Sequence, residues 1–293
     1  MLPFAGGLAG FFDFFASAHA LFVIALCGAG FTVCSFVFGV FTGDYSWVDR
    51  LWSTLPVAFV WFYVWRGGFS PALCVSAAIT TIWGARLTFN FARKGGYSGV
   101  EDYRWNILKK RIANPFLWQM FNLSFISFFQ IGLFVLFTYP VYSMTLFAPE
   151  KIPALFWPFT VLALAFICVE TTADQQQWKF HAAKKAAAAG KTYPEKYTGD
   201  VKQGFLSGGL FAFSRHPNYF GELGTWWSVW LMALSLCGGI ARTGCFGPLA
   251  LTALFIGSTI FTESLTAPKY PDYKNYQSRV SPIIPWFPKR LSK

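Results

Sequence analysis

Seven stretches of this chain are long, apolar and almost free of charge: residues 14–41, 48–65, 71–91, 115–139, 152–172, 219–237 and 246–265. About 20 apolar helical residues cross a hydrocarbon core of about 30 Å, and these stretches are near or above that length. In lipid every backbone donor and acceptor must be met within the protein, which leaves helices or closed barrels. Barrel strands alternate apolar and polar residues over short segments, and these stretches do not. The sequence therefore predicts an all-α, polytopic transmembrane helical bundle of about seven spans. Charged residues make up 13% of the 293, about half of what a water-facing domain carries.

Lysine and arginine set the expected orientation. They crowd into the 93–111 connection, the 179–202 connection and the tail from Lys269, joined by Arg50, whereas the alternate loops hold Arg66, Lys151 and Arg242. With seven spans the three rich segments share one side, so the C-terminus is expected in the cytosol. The net charge of +11 is thus spent on topology and on phosphate partners, and nucleic acid is not expected as a partner. No lysine or arginine precedes Arg50, so the first apolar run lacks the charged start of a secretory signal and reads as a retained helix. The six cysteines form no Cys-x-x-Cys pair, and with three histidines no metal site is expected. Cys237 and Cys245 flank a short loop, but spacing alone makes no disulfide.

Ionisable groups at membrane depth are costly and mark function. Glu170, Asp174, Gln177 and His181 recur at helical spacing along one face. Such a stripe suits ribose hydroxyls and an amide, with Lys184 and Lys185 for phosphates; a helix leaving the membrane explains the later residues but not Glu170. Next comes Gly208-Gly209-Leu210-Phe211, then Arg215-His216-Pro217-Asn218-Tyr219-Phe220-Gly221-Glu222. Pro217 suits a first helical turn. Free amides there, with Arg215 and His216, are expected to form an anion site. Glu263 and the Lys269, Tyr273 and Arg279 segment complete the set, the last equally readable as an interfacial aromatic belt.

These blocks, in this order, resemble the steroid 5-alpha-reductase family, in a branch of uncharacterised membrane proteins. The likeness also includes Val48-Asp49-Arg50-Leu51-Trp52, the stretch from Trp83 to Tyr97, and Glu101-Asp102-Tyr103-Arg104-Trp105. It implies NADPH as cofactor and hydride transfer to an activated C=C of a lipid, sterol or enone. It implies a reductase-like domain over 48–287, preceded by a first helix and loop at 1–47 and followed by a basic tail at 288–293. Carried over residue by residue, it makes Asp174, Arg215, Asn218, Tyr219 and Glu222 cofactor-binding, with Glu170, Gln177, His216, Glu263, Lys269, Tyr273 and Arg279 around them. Tyr103, Glu101 and Asp49 are the candidate proton donors. Trp83 stands where steroid reductases carry a tyrosine three residues before the arginine, here Arg86, so the pair that polarises a steroid ketone is not evident.

Two other readings remain. The isoprenylcysteine carboxyl methyltransferases share a similar Arg-His-Pro-x-Tyr block and use S-adenosylmethionine. A structural subunit of a larger membrane assembly could keep the fold without turnover. The expected location is the endoplasmic reticulum, with mitochondrial and bacterial inner membranes as alternatives, and membrane lipids as surroundings and substrate source.

Overall fold

The computed structural model describes residues 7–289. Residues 290–293 of the expected basic tail lie outside the described residues. The described chain is helical, without β-strands, and an isolated bridge pairs Ser214 with Ser281. The helices are α1 (Gly7–Ser17), α2 (Ala20–Thr42), α3 (Trp47–Leu51), α4 (Leu55–Arg66), α5 (Pro71–Arg93), α6 (Tyr103–Ile112) and α7 (Pro115–Phe121). A π-helical stretch, Asn122–Phe129, joins α7 to α8 (Gln130–Phe147). There follow α9 (Phe156–Ala188), α10 (Thr198–Gln203), α11 (Pro217–Cys237), α12 (Ile240–Thr243), α13 (Phe246–Thr266) and α14 (Tyr273–Arg279).

Five of these segments are long and apolar enough to cross a membrane: Ala20–Thr42, Pro71–Arg93, Pro115–Phe147, Phe156–Ala188 and Phe246–Thr266. The protein is a polytopic helical membrane protein. The second apolar run does not form one helix. It breaks after Leu51, and Pro56 sits in the first turn of the 12-residue α4, which at about 18 Å is short of the hydrocarbon thickness. Helix α11 has the length, 21 residues, but carries Glu222, Thr225 and Ser228, all turned inward and buried. Helix α9 continues past its apolar part for 33 residues in all. It stops at Ala188, with Gly190 just beyond in the left-handed region at φ 66°.

The chain divides into two compact units. Unit 1 comprises Met1–Thr160 and Val229–Pro248; unit 2 comprises Val161–Ser228 and Leu249–Lys293. In unit 1, α4, α5 and α8 share a core of Val60, Tyr63, Val64, Ala77, Phe134, Phe137 and Val141, all fully buried. In unit 2, the extramembrane end of α9 is covered by the segment that follows it: Ala173, Phe180 and Ala183 pack with Tyr197, Leu206 and Phe211. That small core fixes the polar end of α9. The six cysteines are free thiols.

Candidate functional site

In unit 2 the stripe on α9 meets α11 at very close range. A Cβ at Gly221 would lie 2.6 Å from the Glu170 Cβ and 2.8 Å from the Phe166 carbonyl. Only glycine permits this approach, and it sets Glu170 beside the α11 turn that carries Glu222. Glu170, Asp174 and Glu222 are exposed by only 4%, 7% and 4%. Trp226 Nε1 donates to Glu222 Oε1 at 3.2 Å, one turn along. Gln177 Oε1 is shielded from solvent and meets no donor among the described residues. Its neighbour Gln176 makes the contact to the loop: its Oε1 accepts the Leu210 N–H at 3.0 Å. Gly209, at φ 64°, leaves room for that amide. The sequence reading passed over Gln176, although a glycine pair facing a glutamine stretch was its available signal.

The start of α11 is held differently from the expected anion site. The Arg215 and His216 amides donate to the Ser281 and Pro282 carbonyls at 2.8 and 3.0 Å, and Ser214 Oγ donates to the Ile283 carbonyl at 2.7 Å. The guanidinium is equally committed. Arg215 Nε and Nη2 donate to the two oxygens of Glu263 at 2.6 and 2.9 Å, while Nη1 serves the carbonyls of Gln277 and Val280. His216 Nε2 lies 3.0 Å from Glu263 Oε1, and Gln277 Nε2 donates to Oε2 at 2.7 Å. Glu263 is thus the hub of a buried clamp that straps residues 276–283 across the α11 entrance. The sequence marked Arg215 with His216, and Glu263 separately, as cofactor-binding candidates; their pairing, the strap's carbonyls and Gln277 were invisible to it.

The remaining candidates divide. Tyr219 sits under His216, rings nearly parallel with centroids 5.0 Å apart, and packs edge-on to Phe255. Asn218 is half-buried one turn before Glu222. Tyr273 is buried against Phe205; burial, then the charge of Glu263, push its phenol well above the usual range. Lys269 and Arg279 are exposed, and Arg279 Nε reaches the Lys289 carbonyl at 3.4 Å. Lys184 is tied down, donating at 2.8 Å to the Gly204 carbonyl and to the Tyr270 hydroxyl. His181 lies exposed.

The three proton-donor candidates belong to unit 1: Asp49 on α3, Glu101 in the loop before α6 and Tyr103 at its first residue, where the segments are clasped together. Glu101 Oε1 accepts the Tyr45 N–H at 2.8 Å. The Asp102 N–H donates to Ser46 Oγ at 2.9 Å, while the Asp102 side chain caps α6 through the Arg104 N–H. Asp49 Oδ2 accepts the Trp105 indole N–H at 2.7 Å. Burial, and next the negative charge of Asp102, push the Asp49 carboxyl up to about 6. Tyr103 is 53% exposed. Asp102, which supplies much of this arrangement, carried a legible N-cap signal that the search for acids overlooked.

Fold and site together define a class: a multi-pass helical membrane protein with carboxylates buried among its helices. Within that class, the chain belongs to the family described as "Protein of unknown function (DUF1295)", which matches residues 35–280. A Schizosaccharomyces pombe relative, named Uncharacterized protein C594.04c, is 35% identical over 97% of this chain and 85% of its own length. No solved structure matches.

Proposed function

We propose that this protein is an NADPH-dependent membrane reductase acting on an activated C=C of a lipid, sterol or enone. The observation that carries the reading is the enclosed set of acceptors in unit 2: the Glu170, Asp174 and Glu222 carboxylates and the unmatched Gln177 Oε1. A buried acceptor left without a donor, as Gln177 Oε1 is among the described residues, is costly. A ligand rich in hydroxyl and amide donors, as the ribose and carboxamide of a nicotinamide nucleotide are, offsets that cost. The residues therefore fit the cofactor, and NADPH when bound would supply the hydride. The chain's part is to orient and to exclude water. Glu170, Asp174, Gln177 and Glu222 bind donors; Asn218 and Tyr219 line the same helix turn. Arg215 acts as a positioning residue, because its donors already hold the strap. Within unit 1, Asp49, pushed up to about 6 by burial and by Asp102, is the proton-holding candidate.

The same acceptor set favours one second reading. Three carboxylates buried in one unit also suit a cation, and S-adenosylmethionine carries a sulfonium and an amine. Titration of the purified full chain with each nucleotide, followed by thermal unfolding, decides. NADPH should raise the wild-type midpoint, by the equivalent of about 2.7 kcal/mol at a hundredfold excess over Kd. Glu222→Leu should stay folded and lose that rise. Stabilisation by S-adenosylmethionine alone would replace the reductase with a methyltransferase. No shift with either, with Glu222→Leu as stable as wild type, would leave a structural subunit.

A further inference from the structure

We propose that the α6–α7 corner of unit 1 is a binding site for an anionic phospholipid, separate from the reductase reading. Helix α6 ends in three consecutive cations, Lys109, Lys110 and Arg111, all exposed. The helix is anchored on its other side by Trp105, which is 5% exposed and donates to Asp49. Lys109 is held with its ammonium 5.0 Å over the Tyr45 ring, so part of the cluster has a fixed position. The negative end of the α6 dipole favours these charges.

A tight turn follows at once. Ala113 takes φ 44°, and Asn114 caps the next helix by accepting the Phe116 and Leu117 N–H groups. That next helix opens a span, Pro115–Phe147. Its outer face begins with Phe116, Leu117 and Met120, exposed by 71%, 56% and 49%. Phe116 and Met120 lie one turn apart on one face, with Leu123 below them. A cationic step thus stands directly at the head of an exposed apolar column. A phospholipid with negative headgroup charge satisfies both parts: phosphate and headgroup against the cations, acyl chain along the column. A free phosphate satisfies the first only, and a zwitterionic lipid mainly the second. A mere topology signal acts during insertion and predicts no lipid retention by the folded protein, which separates the two roles.

The test uses the full chain in a mild detergent with labelled phosphatidylglycerol or phosphatidylcholine, and inorganic phosphate as competitor. Wild type should retain phosphatidylglycerol in preference, and each neutralised cation should weaken that retention by about fivefold. The variant Lys109→Gln/Lys110→Gln/Arg111→Gln should bind both lipids alike. Phe116→Ser/Met120→Ser should weaken both lipids together. Lys179→Gln/Lys191→Gln, at exposed positions on and just after α9, should change nothing. Because all these residues are exposed, unchanged unfolding midpoints serve as the folding control. Equal retention of the two lipids by wild type would overturn the proposal. So would a triple variant that keeps the preference, or displacement of the lipid by equimolar inorganic phosphate.

Discussion

The two units handle charge in opposite ways. Unit 1 places its ion pairs where loops meet helices: Asp44 with Arg50 of α3, and Asp102 with Arg104 of α6, whose side chains keep between 14% and 30% of their exposure. Unit 2 buries Arg215 and Glu263 to 9% each and adds His216 and backbone carbonyls around them. Exposed pairs contribute about 0–1 kcal/mol. Buried pairs stabilise little as pairs, yet removing one partner leaves a desolvated charge and is severe. The loop network of unit 1 should therefore be forgiving and the helix clamp of unit 2 brittle. The difference follows from where each sits: a charge at a partly exposed loop–helix junction keeps some contact with water, while one under the strap at the α11 entrance keeps little.

The sharpest way to break the comparison is Glu263→Leu. It strands the Arg215 guanidinium with only carbonyl partners and should cost about 3–5 kcal/mol, with residues 276–289 becoming open to protease. The double variant Arg215→Met/Glu263→Leu removes both charges and should recover part of the loss. Unfolding of the single and double variants in detergent checks both. Equal losses would mean that the clamp works through packing, and unit 2 would no longer differ from unit 1 in kind.

Much of this contrast was legible beforehand, and the reason lies in spacing. Apolar runs at membrane length gave the helical class, and Glu170, Asp174 and Glu222 stood out because carboxylates in such runs are expensive. What the sequence could not reveal was long-range pairing. Arg215 looked like an anion ligand because its partners, Glu263 and the 277–283 backbone, lie 48 or more residues away. The break between α3 and α4 was likewise hidden, since hydropathy registers side chains rather than the turn at Trp52–Thr54. Glu101 and Asp49 were found as acids, but only the folded geometry shows that Glu101 accepts the Tyr45 N–H while Asp49 accepts the Trp105 indole.

Asp49 tests whether unit 1 is as forgiving as its exposed pairs suggest. Its carboxyl titrates near 6 when folded, against an ordinary 3.8. Between those values the folded state keeps a proton that the unfolded chain releases, so Asp49 makes stability fall as pH rises from about 4 to about 6. Above that window the cost is fully present. Asp49→Asn removes this term, and the variant should gain on wild type as pH rises through the window and hold a constant lead above it. Two pH units correspond to about 3 kcal/mol; partial solvent screening reduces the expected gain to about 1 kcal/mol. The measurement is the difference in unfolding midpoint between the two proteins across pH 4–8. Parallel curves would return Asp49 to an ordinary carboxylate.

The smallest effect separates the two jobs of Asp102. Its Oδ1 accepts the Arg104 N–H at 2.9 Å as the α6 cap, and Oδ2 pairs with the guanidinium at 2.8 Å. Asp102→Ala loses both and should cost about 1 kcal/mol, the usual value of a cap. Asp102→Asn keeps a capping oxygen and loses only an ion pair whose side chains keep 23% and 30% of their exposure, so its cost should stay within about 1 kcal/mol. The asparagine variant also removes the negative charge that, after burial, is the next cause of the raised Asp49 carboxyl. The pH window of Asp49 should accordingly shift downward while stability hardly changes. If the window stays in place, burial beside Trp105 alone holds the proton. The loop clasp of unit 1 would then be a desolvated pocket, closer in kind to the buried carboxylates of unit 2 than its exposed ion pairs imply.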